Sequence, residues 1–132
     1  MSYDMFVQRF EQGKAAPMAG EAFLAVFETH VDRREPQDSY WHINTDDGGT
    51  ADVYAALTGG TLDSLMISRF SAGAILDTLV RYIGVADAVV LPPGCPTLLA
   101  HEEQRQHLPE ELRADAVVVQ AGADVERVLR SC

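Results

Sequence analysis

The sequence predicts the α+β class, with helices packed on a single-layer mixed sheet of about six strands around a central antiparallel meander. The stretch 40–70 supports this prediction because it contains three short β-type segments separated by two glycine turns. Strand and helix patterns follow one another on either side of it. The 132-residue chain has the length of one domain and shows no repeat or linker, so we predict a single globular domain over residues 1–132.

The first predicted strand covers residues 3–10, where hydrophobic residues fall on both faces, as is typical of an interior strand. A loop with the sequence EQGKAAP follows it. Pro17 suits the first turn of a helix, because no intrahelical bond needs its missing N–H. We expect this helix to continue with an apolar stripe until Pro36, which disfavours helical geometry at Glu35.

The central stretch is predicted to form the meander. Residues 40–45 and 50–57 flank the turn sequence DDGG, which favours a β-hairpin. The sequence TGGT makes a second turn before a third strand within LDSLMISRF. Ser71 is then expected to cap a helix that Gly84 ends. The apolar face of this helix comprises Ile75, Leu76, Leu79, Val80 and Ile83.

The last part of the chain is predicted to alternate strands and helices. On the outer face of the preceding helix, Asp77 and Arg81 have the spacing of an i,i+4 ion pair. Apolar strands at residues 88–91 and 116–120 enclose a short helix within CPTLLAHEEQRQHLPEEL, which breaks near Pro109. The sequence ADVERVLRS closes the chain as a helix. The predicted order is β-α-β-β-β-α-β-α-β-α.

Composition and charge limit the classes of partner. Hydrophobic residues make up 47% and charged residues 23% of the chain, which is typical of a soluble globular protein. The 20 acidic and 10 basic residues give a formal net charge of -10. This charge disfavours binding to nucleic acid or to a membrane surface and favours a basic partner. The opening sequence MSYDMFVQRF lacks a secretory-signal pattern, so we predict a cytoplasmic location.

Cys95 is the candidate for nucleophilic chemistry. It lies between a predicted strand and a predicted helix in VVLPPGCPTLL, where the helix dipole would stabilise a thiolate. The two cysteines, Cys95 and Cys132, are too few for a disulfide framework and lack C-x-x-C spacing. A thiol-dependent enzyme or small-molecule binder centred on Cys95, assisted by His42 or His107, is therefore the alternative function. A small, half-buried residue in a rigid turn is the structural interpretation of Cys95.

The sequence predicts neither a metal site nor a cofactor site. In HEEQRQH, a second zinc-binding histidine would have to lie four residues after His101, and that position holds Arg105. We therefore expect HEEQRQH to form a polar, solvent-facing helix. The segment NTDDGGTAD lacks the oxygen ligands and the final glutamate of a calcium loop. No phosphate-binding or dinucleotide-binding fingerprint is present.

Trp41, Asp46, Asp47 and Tyr54 are the predicted binding residues. The aspartates lie at the tip of the predicted hairpin, and the aromatic residues lie on its strands. Cross-strand or core packing is the alternative role for the aromatic pair. We therefore predict a small, acidic, non-catalytic interaction domain that binds a basic protein. A homodimer formed by paired sheet edges is a further alternative.

Overall fold

The computed structural model describes residues 3–132 and has a mixed α+β architecture. Its α-helices are α1 (Gly20–Phe27), α2 (Ala74–Ala86), α3 (Glu110–Arg113) and α4 (Gly122–Ser131). Its first strands are β1 (Met5–Glu11), β2 (Lys14–Ala16), β3 (Met18–Ala19), β4 (Val31–Glu35), β5 (Tyr40–Asn44) and β6 (Thr50–Ala55). The later strands are β7 (Thr61–Leu62), β8 (Leu65–Ser68), β9 (Val89–Leu91), β10 (Leu98–Leu99) and β11 (Val117–Val118).

One sheet of nine strands organises the molecule. Its order is β11-β10-β9-β1-β8-β6-β5-β4, and β2 pairs with the end of β1. The pair β10 and β11 is parallel, and the other strand pairs within residues 3–132 are antiparallel. The sheet is therefore mixed as predicted, and β5, β6 and β8 form the expected meander. It is larger than the predicted six strands, and β3 and β7 form a separate two-stranded sheet instead of joining one layer.

The inner face of the large sheet carries the main core. Outward and inward side chains alternate along each strand, and Met5, Val53 and Ile67 all point inward as cross-strand neighbours. Helices α1 and α2 cover this face, with the Phe23 ring of α1 lying 6.2 Å from the Tyr82 ring of α2. These side chains are fully buried. The sequence signal for this core was the alternation of apolar residues in the meander.

Helix α4 packs against α2 through a backbone contact that requires glycine. The Gly122 N–H donates to Asp77 Oδ1 at 2.7 Å, so Asp77 serves this contact instead of the predicted pair with Arg81. A Cβ at position 122 would lie 2.7 Å from the Asp77 backbone nitrogen. The two helices can therefore approach this closely only because residue 122 has no side chain.

The outer face of the sheet is covered over one half only. Residues 102–113 lie over the β1, β9, β10 and β11 side and bury a second apolar cluster there. The outward-facing side chains of β4, β5, β6, β8 and the first half of β1 form the other half, which we call the open half of the sheet. No helix in the described part of the chain packs on the open half. The buried members of the second cluster are Val89, Leu99, Leu108 and Ala116.

The helix predicted to begin at Pro17 is shorter than expected. Pro17 precedes β3, α1 covers only Gly20–Phe27, and a 3₁₀ turn at Glu28–His30 leads into β4. Strand β4 is an edge strand that pairs with β5, and its charged residues gave the sequence a helical, solvated character. Cross-strand pairing therefore overrides local helix propensity here.

Both ends of α2 and the segment after Cys95 differ from the prediction. Helix α2 begins at Ala74, after Gly73 with φ of 80°, and Ser71 instead accepts a hydrogen bond from the Thr50 N–H. It extends past Gly84 to Ala86, and the next residue, Asp87, adopts a left-handed conformation. The helix predicted within residues 95–112 begins later than expected. Its two leucines form β10 between β9 and β11, and helical turns follow at Glu102–His107 and Glu110–Arg113. None of the helices in residues 3–132 is long and apolar enough to cross a membrane.

Candidate functional site

The open half of the sheet presents an apolar row of outward-facing side chains. Tyr40 pairs with Tyr54, Tyr54 pairs with Met66, and Met66 pairs with Phe6, so these side chains cross four strands in sequence. The rings of Tyr40 and Tyr54 are 5.3 Å apart. Phe6 is 45% exposed, and Val85 on α2 is the other exposed large hydrophobic residue in the described chain. Tyr40 is 7% exposed, and Tyr54 and Met66 are half-buried, so the row offers most of its apolar surface to a ligand or partner at Phe6.

A polar row runs beside the apolar row, and its centre is Asp52. Tyr40 Oη donates to Asp52 Oδ1 at 2.5 Å, and Arg69 Nε lies 2.8 Å from Asp52 Oδ2. Burial, followed by the Asp52 carboxylate, raises the pKa of the Tyr40 hydroxyl. Arg33 Nη2 donates to the Tyr40 oxygen at 3.3 Å, and the Arg33 guanidinium carbon lies 5.3 Å from the ring centroid. These contacts form one connected network on the open half.

This network lines a groove of about 580 Å³. His42 forms a second pair at its edge, with Nδ1 located 2.5 Å from Asp32 Oδ1. The hydrogen bond from His42 lowers the pKa of Asp32, and Asn44 contributes less. A bulge between Val31 and Arg33 interrupts the register of β4 beside this pair. The groove therefore combines carboxylates, cations and aromatic rings at one surface.

Trp41 does not belong to this surface. Its side chain points to the inner face, is 4% exposed and lies with its ring 5.0 Å from the Phe23 ring. Trp41 Nε1 donates to the Ala55 carbonyl oxygen at 3.0 Å. Trp41 and Tyr54, both predicted binding residues, therefore face opposite sides of the sheet and do not share one surface.

The two aspartates at the hairpin tip, both predicted binding residues, have different contacts in the structure. Asp46 is exposed, whereas Asp47 joins the turn between β5 and β6 to the start of α2. Asp47 Oδ1 accepts hydrogen bonds from Thr45 Oγ1 at 2.6 Å and from the Gly49 N–H at 3.0 Å. Asp47 Oδ2 accepts one from the Ala74 N–H at 3.0 Å. Asp47 is thus a structural cap in the fold, as well as part of the tip.

We expect Asp47→Ala to lower the melting temperature at neutral pH by about 3–6 °C, because it removes the cap of α2. The hydrogen bonds, of which that from Thr45 is the largest cause, lower the pKa of Asp47 from 3.8 to about 2. A depressed folded-state pKa stabilises the fold above the unfolded-state pKa, and this contribution is lost as pH falls towards 2. The difference in melting temperature between wild type and variant should therefore shrink between about pH 4 and pH 2.

Asp46→Ala is the matched control for this prediction. Its carboxylate accepts no hydrogen bond from the described residues, so its melting temperature should follow that of the wild type at each pH. Calorimetric scans from pH 7 to pH 2 would measure both variants. Equal stability of Asp47→Ala and wild type at pH 7 would contradict the capping role.

The structure joins Cys95 to Cys132 by a disulfide. Their Cα atoms are 5.4 Å apart, within the range that a disulfide spans, because α4 ends beside the loop that follows β9. The candidate nucleophile at Cys95 is corrected accordingly, since the described cysteines include no free thiol. Neither proposed assisting histidine serves a thiol here. His42 pairs with Asp32, and His107 Nδ1 accepts from the Gln12 N–H at 3.2 Å.

The segment HEEQRQH is a 3₁₀ helix, Glu102–His107, with one buried polar residue. Gln104 Oε1 accepts from the Ala100 N–H at 2.7 Å, and its Nε2 donates to the Ala88 oxygen at 2.9 Å. Gln104 therefore fixes this segment to the start of β9, which corrects the prediction of a wholly solvent-facing helix. Within residues 3–132, no group of three metal-ligating side chains lies close enough to hold an ion.

Sequence reasoning missed Asp52, Arg69 and Phe6 as members of one surface. The signal for Asp52 was the alternation of polar and aromatic residues in β5 and β6, combined with the register of the hairpin. Arg69 gives no signal in the sequence, because it lies in a turn after β8 with an unusual φ of 47°. The chain matches no protein-family model, no curated protein and no solved structure, so its functional interpretation depends on the geometry of the open half of the sheet.

Proposed function

We propose that the chain is a non-catalytic interaction domain that binds a basic protein on the open half of the sheet. The observation that carries this proposal is the apolar row that ends in the exposed Phe6 ring. An exposed aromatic side chain beside a polar rim is typical of protein-binding surfaces. Phe6 is 45% exposed, so its ring is accessible to a partner.

Charge supports a basic partner. The grooves on this surface are lined by more carboxylates than arginines, in a chain with a net charge of -10. Such a surface would attract a basic protein over a distance of about one Debye length, roughly 8 Å at physiological salt. The carboxylates are Asp32, Glu35, Asp38 and Asp52, and the arginines are Arg33 and Arg69.

The two edge strands of the sheet have features that disfavour pairing with a partner, so the face of the sheet is the better candidate for a binding surface. Strand β4 contains a bulge and the charged run Asp32–Glu35, which are features that protect an edge from pairing. Strand β11, at the other edge, has two residues. A homodimer through paired edges is therefore the weaker proposal.

Cytoplasmic location stays part of our proposal, and it implies conditions in which disulfides are usually reduced.

We expect the double variant Phe6→Ala/Tyr54→Ala to bind the partner at least about tenfold more weakly than wild type, because two aromatic contacts of the proposed binding surface are lost. Each protein would be immobilised and incubated with lysate of its source cells over a salt series. Wild type should retain a basic protein at low salt, and rising salt should weaken its binding.

Val85→Ala is the matched control, because Val85 is exposed and apolar but lies on α2, outside the open half. It should retain the same protein as wild type. If the double variant retained the basic protein as well as wild type does, the open half of the sheet would not be the binding surface. If wild type retained no basic protein at low salt, the proposed function itself would fail.

A further inference from the structure

We propose that Asp52 is the recognition point for an arginine side chain of the partner, and that Arg69 occupies this point in the free protein. The inference deepens the proposed function, because it names the chemical group that the open half of the sheet selects. It also assigns Arg69 a role as an internal competitor. The contacts of Asp52 and Arg69 are the basis for both parts.

Asp52 is a carboxylate held in one orientation below the surface. Its side chain is 10% exposed, and the Tyr40 hydroxyl fixes Oδ1 from one side. Oδ2 faces the groove, where Arg69 Nε lies 2.8 Å from it. The structure therefore shows this position holding a guanidinium. A carboxylate so placed has few water contacts and would be poorly satisfied without a cation.

Arg69 is well suited to leave this position. Its side chain is 71% exposed, so the guanidinium reaches the largely buried Asp52 carboxylate from the solvent side. Its backbone φ of 47° lies in the left-handed region, which costs free energy for a residue with a side chain. Arg69 also lines three adjacent depressions on this surface. Its guanidinium can therefore swing into a neighbouring depression when another cation takes its place.

The surroundings favour arginine over lysine. The rings of Tyr40 and Tyr54 stand beside Asp52, and planar guanidinium groups stack on aromatic faces. The Arg33 guanidinium already lies over the Tyr40 ring, at 5.3 Å from its centroid, which leaves the half-buried Tyr54 ring for a partner guanidinium. A lysine ammonium could pair with the carboxylate but would lack the planar stacking contact. We therefore expect a partner arginine at this point.

The test uses a small probe in place of the partner. Nα-acetyl-arginine amide would be titrated into isotope-labelled protein, and binding would be followed by NMR chemical shifts. Arg69→Gly removes the competitor and suits the left-handed backbone, so the probe should bind about three- to tenfold more tightly than to wild type. Shifts should centre on Tyr40, Asp52 and Tyr54. The lysine analogue should bind more weakly, and the uncharged citrulline analogue should not bind.

Arg127→Ala is the matched control, because Arg127 is also 71% exposed and pairs with a carboxylate, but on α4. It should bind the probe like wild type. Asp52→Asn should abolish binding of the probe. If Asp52→Asn does not fold, the comparison of Arg69→Gly with wild type still tests the inference. No gain in affinity for Arg69→Gly, or equal binding of the citrulline analogue, would overturn the inference.

The outcomes separate this inference from the proposed function. Lysate capture that depends on Phe6 and Tyr54, together with no gain in affinity for Arg69→Gly, would leave the interaction domain intact and remove the arginine site. Probe binding that depends on Asp52, with no basic protein captured, would support the arginine site and remove the proposed partner.

Discussion

Replacing Trp41 with alanine is expected to lower the free energy of unfolding by about 3–5 kcal/mol, the usual cost of truncating a large buried aromatic residue. The ring packs on Phe23 at 5.0 Å, and its Nε1 donates to the Ala55 oxygen. The Arg34 guanidinium carbon lies 4.1 Å from the Trp41 ring centroid and covers its remaining side. Urea unfolding followed by circular dichroism would measure the loss.

Trp41→Phe separates a core role from a binding role at this position. It keeps an aromatic ring in the core but loses the Nε1 hydrogen bond, so we expect a smaller loss of about 1–2 kcal/mol. The folded Trp41→Phe protein should bind the partner as wild type does, because position 41 faces away from the open half of the sheet. Wild-type stability combined with loss of partner binding would return Trp41 to the binding surface.

The register of one hairpin explains why the sequence analysis misassigned Trp41. The strands and turn of this hairpin are confirmed, but the faces of its residues depend on which residues pair. Asn44 pairs with Thr50, so Trp41 pairs with Val53 and Tyr40 pairs with Tyr54. A shift of one residue in this pairing would have put Trp41 and Tyr54 on the same face. A five-residue turn does not determine that register from residue types alone.

Elements that depend on local pattern were predictable, whereas those that depend on tertiary contacts were not. Helix α2 has a clear apolar stripe, and its existence is confirmed although both ends differ. Strand β4 is visible only through its pairing with β5, because its sequence VDRRE is charged. Asp52 gained its role from Arg69, a residue 17 positions away that reaches it through the pairing of β6 with β8.

Removing the disulfide between Cys95 and Cys132 is expected to lower the free energy of unfolding by about 2–4 kcal/mol. The bond closes a loop over a sequence separation of 37, which restricts the unfolded chain. It also joins the end of α4 to the loop after β9, and α4 buries Val125 in the main core. Urea unfolding of wild type and of Cys95→Ser/Cys132→Ser would measure the difference.

Reductant provides the internal control for the disulfide, because Cys132 is exposed and its substitution by serine removes little packing. A dithiol reductant should shift the unfolding midpoint of wild type towards that of the double variant and leave the double variant unchanged. Coincident unfolding curves of wild type with and without reductant would contradict a stabilising disulfide.

The oxidation state of the two cysteines in cells tests the cytoplasmic proposal. Thiols that can be alkylated in intact cells would support it, whereas a fully oxidised pair would argue against it, because cytosolic reductants keep most thiols reduced.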